Sequence, residues 1–536
     1  MRGEANMDRT FSGTIIVLAI GIVISGCSER KTRFPDPPTP ASPNAYVSVP
    51  DSFVRESRHY AAEHGTIAVP ENRNNPSSRL IYLPVIRIHA LSGAPSEPIF
   101  GLTGGPGLSN MNWAPPETLL ADHDFVMVGF RGIDGSTALD CPDLSEALTH
   151  HNELLSDEAL RNFGVAWQTS MRKLIAQGID LNGYTIPETI EDLDAVRRAL
   201  RYPRINLLSE SYGTRVAYLY GLMHPESIYR SVMIGVNPPG HFVWDPRTVD
   251  DQIRYYARLW SRDSSVAGRS RDLAATMRTV LHTMPSHWLF IPIHRDKVRI
   301  ATFTLLFHRR TAALAFDAYV AAERGDYSGL ALISAAFDYT FPSGPGLGDL
   351  ALKAISADFD STQTYSGGTE RPDAILGSPL GQFVWKPTLY GRLPVDMIPE
   401  RLRKPERSDV ETLLLSGSID VSTPAEYATN EMLPLLRNGR QIIIAECGHV
   451  GDIWNLRRGT VEKIIASYYI TGVPFTSSVE YIPMDFSVGW GFPTIAKIGV
   501  AAICLLAVAL VMLIIWLIRK IARRKARRLV DRPATV

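Results

Sequence analysis

The apolar positions of the chain change their spacing twice. Between about Val47 and Val243, short uncharged runs such as "EPIF", "HDFVMVGF", "RINLLS" and "RSVMIGV" alternate with amphipathic stretches. Continuous apolar runs of this length are the pattern of strands buried on both faces. Upstream, "GTIAVPENRNNPSSRLIYLPVIRIHA" reads as two strands around a turn rich in Asn, Pro and Ser. "TIPETIEDLDAVRRAL" carries a helix start. Thr185 and Glu188 have capping-box spacing, Pro187 sits in the first turn, and Leu193, Val196 and Leu200 follow one face. A second helix is expected from about Gly213. From Trp244 to Ser378 the strand runs nearly vanish, and helical segments such as "DDQIRYYARLW" and "HRRTAALAFDAYVAAERG" take over. Strands return at "ETLLLSGS" and "RQIIIAEC". This order predicts an α/β fold with a parallel sheet in two pieces, 47–243 and 379–475, interrupted by a helical cap at 244–378.

Both ends depart from that pattern. Gly13 to Gly26 form an apolar run of signal-peptide length, preceded by Arg2 and Arg9 and closing on "ISGC". Small residues before Cys27 resemble a bacterial lipobox, so residues 1–26 are expected to be a signal peptide and Cys27 the lipidated first residue. Residues 27–46, with "FPDPPTPASPN", read as an extended tether. At the other end, residues 476–497 form a juxtamembrane linker, and Trp490 and Phe492 suit a membrane interface. Ile498 to Ile518 is uncharged and long enough to cross a bilayer. Seven Lys/Arg follow between Arg519 and Arg528. The positive-inside rule makes the tail 519–536 cytoplasmic and puts everything before Lys497 outside. Cys27 and residues 498–518 are thus the expected lipid contacts, both in a bacterial cytoplasmic membrane.

Composition alone is ordinary, with 45% hydrophobic and 21% charged residues and a net charge of zero. The zero hides an asymmetry. With the +7 tail and Lys497 set aside, residues 27–496 carry −8. An acidic exported region argues against nucleic acid as a partner, and the basic tail suits anionic lipid heads. Of four cysteines, Cys141 and Cys447 remain for the oxidising side, where a disulfide between them is permitted. There is no C-x-x-C and no His/Cys cluster of metal-site spacing, so neither a metal nor a cofactor is expected.

The candidate chemistry lies at strand ends. "NLLSESYGTRVA" places Ser211 between a buried strand and a helix, with Gly213 two residues on. That is the layout of a nucleophile elbow, G-x-S-x-G, with Ser209 standing for the first glycine. The competing reading makes Ser209 and Ser211 ordinary helix caps. "GLTGGPGLSN" follows the "EPIF" strand and can offer backbone N–H groups to an oxyanion, with Gly104 and Gly105 the candidates beside the N–H of Tyr212. Asp420 follows the strand "TLLLSGS", and His449 follows "RQIIIAEC". The order Ser211, Asp420, His449 is that of α/β hydrolases. His449 would take the hydroxyl proton of Ser211, and Asp420 would fix its tautomer.

"GGPG", "NLLSESYGTRVA", "GSIDVSTP" and "CGHV" together resemble the tripeptidyl aminopeptidase-like and prolyl iminopeptidase-like serine peptidases of the α/β-hydrolase fold. Arg131–Gly132, "LDCP" through Cys141 and "NPPG" add to the likeness, which runs from about Val47 to Gly472 and is weakest in the cap. It implies release of residues from peptide N-termini through an acyl-enzyme. It also implies cap carboxylates that hold the substrate amine, for which Asp317, Glu323, Asp326 and Asp338 are candidates. Three positions depart from the pattern. Ser209 replaces a glycine, Gly129 replaces an acidic residue before R-G, and the strand "RSVMIGV" lacks its terminal acid. Two other readings share these residues: an esterase or lipase with the same triad, and a silent hydrolase fold used for binding.

Overall fold

The apolar runs pair into one nine-stranded sheet. Its strands are β1 (Tyr46–Arg55), β2 (Arg58–Pro70), β3 (Leu80–Ile88), β4 (Ser96–Leu102), β5 (His123–Val128), β6 (Ile205–Glu210), β7 (Ile228–Ile234), β8 (Glu411–Gly417) and β9 (Gly439–Ile444). In this computed structural model they lie in the order β1-β2-β3-β5-β4-β6-β7-β8-β9. The structure describes residues 39–55, 58–149, 153–340, 345–391, 393–477 and 479–530. The signal-peptide segment, Cys27 and most of the tether lie outside the described residues, as does the end of the basic tail.

β1, β2 and β3 are antiparallel, and β3 meets β5 antiparallel. From β5 to β9 all six strands are parallel. The chain lays β5 on one side of β4 and β6 on the other, so a crevice opens at the carboxyl ends of β4 and β6. β1 was not foreseen. Its run "YVSVPDSFVR" has little apolar alternation, and it forms by adding to the free edge of β2.

Helices cover both faces. Along β6, Leu207 joins an apolar cluster with α1 (Asp157–Ala176), α2 (Ile186–Ala199) and α3 (Tyr212–Met223). Leu208 faces the opposite side, with Ile453, Val461 and Ile464 of α10 (Val450–Thr471). This is the two-residue period of a strand buried on both faces.

The segment between β7 and β8 holds α4 (Pro246–Arg262), α5 (Leu273–Thr283), α6 (Arg295–Leu305), α7 (Arg309–Glu323), α8 (Ser328–Thr340) and α9 (Pro379–Gly391). Much of it builds a core of its own around Tyr256, Trp260, Phe303, Phe316 and Leu330. α9 instead packs on α1, with Phe383 edge-on to Phe163.

Three sequence expectations change here. Cys141 and Cys447 are both free thiols. They are buried in clusters on opposite faces of the sheet, so the disulfide does not form. Burial pushes Cys141 up to about 12 and Cys447 up to about 11, which leaves both protonated and unreactive. The helix at "TIPETIEDLDAVRRAL" forms, but Thr185 makes no side-chain cap. Glu188 takes stronger, charge-assisted partners instead, with Arg73 at 2.6 Å and Arg131 at 3.3 Å. Finally, the last helix, α11 (Phe492–Val530), begins inside the expected linker. Pro493 in its first turn suits a helix start.

α11 is long and apolar enough to cross a membrane from Phe492 to Arg523, with a mean hydropathy of 3.2 in its most apolar window. Its first turns do not stand free. They lie against α8 and α7. A Cβ on Gly329 would come within 2.9 Å of Pro493 Cδ. Ser328 Oγ donates to the Pro493 carbonyl at 3.3 Å, and Lys497 pairs with Asp326 at 2.5 Å.

Candidate active site

β6 ends at Glu210, and α3 begins at Tyr212. Ser211 is the single residue between them, at φ 50° and ψ −120°. A non-glycine residue there costs on the order of 1–3 kcal/mol and persists only where its surroundings hold it. The Ser211 N–H donates to the Ile234 carbonyl at 2.9 Å, and the side chain makes no capping bond to α3. The helix-cap reading of Ser211 therefore fails. Gly213 is required by β4: a Cβ there would lie 2.2 Å from the Leu102 carbonyl oxygen. Ser209 faces the other neighbour. It is fully buried, and its Oγ donates to the Val232 carbonyl of β7 at 3.0 Å. The hydroxymethyl is accommodated and its polar atom satisfied, which explains how serine serves in the glycine position.

Asp420 and His449 follow β8 and β9. His449 Nδ1 lies 2.8 Å from Asp420 Oδ2. The other carboxylate oxygen accepts the N–H groups of Ser422 and Thr423 at 2.8 and 2.9 Å, and the Thr423 hydroxyl donates to Oδ2 at 2.7 Å. Burial alone would raise the Asp420 pKa, but His449 and the Thr423 donors hold it below the usual carboxylate range. Burial alone would lower His449, yet the charges of Asp420, Glu210 and Asp452 raise it. The helical insert reaches this turn directly. The His449 N–H donates to the Phe307 carbonyl at 2.7 Å, and the Phe307 ring stands edge-on to the imidazole at 5.6 Å. Asp452 completes the turn by accepting the N–H groups of Gly448 and Arg309.

Asp420 and His449 are bonded to each other, and Ser211 is tied to the end of β7, next to the glycine that lies against His449. A Cβ on Gly235, at the end of β7, would lie 3.1 Å from His449 Cε1, so the missing acid of that strand leaves room for the base. A Cβ on Gly104 would lie 3.1 Å from Ser211 Cβ and 3.7 Å from its Oγ, which puts the glycine turn beside Ser211. Among the described residues the N–H groups of Gly104, Gly105 and Tyr212 have no hydrogen-bond partner within the protein. The turn is pinned by Asn110. Its Oδ1 accepts the Thr103 N–H, and its Nδ2 donates to the carbonyls of Gly101 and Val128. Asp134 in turn accepts the N–H groups of Asn110 and Phe130. Gly129 itself has no space for a side chain, because a Cβ would meet Pro84 at 2.7 Å.

A cavity of about 400 Å3, mouth included, opens at Ser211 between Gly105, Tyr212, Phe242, Trp244 and Trp385. Its floor is fixed by a buried ion pair. Arg215 of α3 meets Asp358 of the insert at 3.0 Å, and Asp358 also accepts the N–H groups of Gly240 and Phe242. A larger opening of about 1060 Å3 shares His241 and Trp244 with it. The cap carboxylates expected to hold an amine are placed elsewhere. Asp317 pairs with Arg269, Glu323 accepts from Thr276, and Asp326 pairs with Lys497. None lines either cavity. The Asp338 side chain lies outside the described residues. Sequence reasoning passed over Thr423, Glu210, Asp452, Phe307 and Asn110. Thr423, Glu210 and Asn110 lay inside the quoted "GSIDVSTP", "NLLSESYGTRVA" and "GLTGGPGLSN", whereas Asp452 and Phe307 carry no local signal.

Residues 97–284 match the family described as the alpha/beta hydrolase fold. The chain is 28% identical over 245 residues to tripeptidyl aminopeptidases of Streptomyces lividans and Streptomyces coelicolor. That match covers 42% of this chain and 44% of each relative, so the chain spans less than half the length of the curated relatives it matches. Among solved structures it is similar to Rv0554 of Mycobacterium tuberculosis, at 16% identity and a TM-score of 0.36, covering 75% of this chain and 98% of that one. It is also similar to a serine hydrolase of Cycloclasticus zankles, at 13% identity and a TM-score of 0.35, covering 76% and 98%. The fold is that of the α/β hydrolases, with a mostly parallel sheet and flanking helices.

Proposed function

We propose that this α/β-hydrolase-fold chain is a serine hydrolase working through an acyl-enzyme, and that its substrates are short peptides cleaved from the amino end. The observation that carries the reading is the Asp420–His449 bond at 2.8 Å in the same crevice as the strained, uncapped Ser211. His449 Nε2 accepts the Ser211 proton as Oγ attacks the scissile carbonyl. The N–H groups of Gly105 and Tyr212 receive the oxyanion, each such donor being worth about 10²–10³ in rate. The proton then passes from His449 to the leaving amine. Water deacylates the serine by the same steps in reverse. The peptide preference rests on the sequence resemblance and on the Streptomyces relatives.

The membrane part of the reading rests on α11 and the basic block after it. It places the sheet and insert outside the cytoplasm, held by α11 and by a lipid on Cys27.

Ester hydrolysis with the same triad is a second reading, and one observation favours it. The cavity at Ser211 has largely apolar and aromatic walls, and among the described residues that line it there is no carboxylate. In the adjoining opening, Asp245 caps α4, Asp358 pairs with Arg215 and Asp360 accepts from Thr362.

The test is fluorophosphonate labelling of the full chain in detergent beside Ser211→Ala. Labelling of the wild type alone is expected, and equal labelling of both would remove the serine-hydrolase reading. Aminoacyl, prolyl and tripeptidyl amides against short acyl esters then choose between peptidase and esterase.

A further inference from the structure

Glu210 occupies the variable position just before the nucleophile and has no part in the triad. Its Oε1 accepts a hydrogen bond from Trp454 Nε1 at 2.5 Å. Trp454 lies in the second turn of α10, the helix that begins directly after His449. One side-chain bond therefore joins the turn that carries Ser211 to the helix that carries the base. The bond joins two elements distant in sequence, the end of β6 and the helix that follows β9.

We infer that Glu210 is a positioning residue for the base: its bond to Trp454 sets the spacing of the Ser211 and His449 turns, and its carboxylate gives His449 a second negative neighbour besides Asp420. The inference rests on the serine-hydrolase reading above.

The charged groups around this point come from four elements. Asp420 follows β8, Asp452 lies on α10, and Glu210 ends β6. From the insert, His308 faces Asp452 at 3.6 Å, and Arg309 reaches the same carboxylate through its N–H. The Cys447 thiol stays neutral. Burial pushes Glu210 up to about 7, against the opposing pull of the Trp454 bond and of His449. Its charge therefore changes in the range where the base must lose its proton. The two groups titrate as a pair, because ionised Glu210 favours protonated His449.

The sign follows. Replacing Glu210 by glutamine removes a negative charge that raises the His449 pKa. The base then stays neutral to lower pH. The acid limb of the activity profile should move down, by less than the roughly 1–3 pH units of a fully ionised neighbour, because Glu210 is itself only part ionised in that range. Trp454→Phe cuts the tether and also removes the donor that favours the ionised carboxylate, so it should slow the reaction and move that limb downward as well, since Glu210 is then neutral to higher pH. Glu210→Asp restores the charge and should bring the limb back toward the wild type.

The experiment is the rate of fluorophosphonate labelling of Ser211 in the full chain, measured from about pH 5 to 9 for all four proteins. This readout needs no knowledge of the natural substrate. A downward shift in Glu210→Gln, shared in direction by Trp454→Phe and absent in Glu210→Asp, is the expected result. Slower labelling of both variants with unmoved limbs reduces Glu210 to a packing residue and overturns the inference. A wild type that does not label sinks the serine-hydrolase reading itself, and the inference with it. If Glu210→Gln does not fold, a Trp454→Phe limb that coincides with that of the wild type overturns it.

Discussion

Ser209 shows how a single atom decides whether a departure from a pattern is a defect. Its Oγ bonds to the Val232 carbonyl, away from α3. Ser209→Gly should keep activity and lose about 1 kcal/mol of stability, the net worth of one hydrogen bond, as read by chemical denaturation. Ser209→Leu should abolish labelling of Ser211, because the site is fully buried between strands. On the proposed mechanism, His449 sets the acid side of the pH profile. Asp420, Glu210 and Asp452 raise its pKa, so the neutral base is lost as pH falls through a value above the usual imidazole range. kcat/KM for any substrate should therefore decline on the acid side at a higher pH than a free histidine would give. An acid limb below the ordinary histidine value would contradict this. Ser211, Asp420 and His449 were legible in the sequence because each follows a recognisable strand. The roles of Glu210 and Asn110 were not, since the partners named for them are 244 and 7–24 residues away and no spacing announces them.

At the scale of elements, the strands from "EPIF" onward were legible because both faces are buried, and a short uninterrupted apolar run between turns suits little else. β1 was not, because an edge strand needs no such run. The helix at Thr185 was placed correctly by a capping signal whose bond does not form, since Glu188 is drawn to Arg73 and Arg131. The disulfide failed for a reason of layers. Neighbouring loops at one end of a sheet can still send their side chains to opposite faces. The insert is joined to the elbow helix by Arg215 and Asp358, both side chains fully buried. Asp358→Ala leaves a buried guanidinium without its partner and should cost about 3–5 kcal/mol, visible as a lower denaturation midpoint together with weakened labelling at Ser211. A mutant with wild-type stability would show that the pair has no structural part. Gly213→Ala should fail more completely, because its Cβ meets the β4 backbone, which cannot rotate away.

For the whole molecule, the contact between α11 and α8 matters most. α8 is apolar, and its described residues are largely covered, partly by α11. Ending the chain at residue 490 should expose that face, and the shortened protein should melt lower and aggregate more readily than the full chain in detergent, as measured by light scattering on heating. Equal behaviour would show the docking to be weak. The sequence suggested a linker here, and a linker would have let the globular part swing. The packed start of α11 removes that slack. A Pro-rich tether of about 20 residues would reach some 60 Å at about 3.1 Å per residue, whereas a helix seated on α8 gives the crevice one height and one tilt. If α11 crosses a bilayer, the enzyme surveys a thin layer parallel to the surface, and what it meets is decided by how substrates approach that layer as much as by the walls of its cavity.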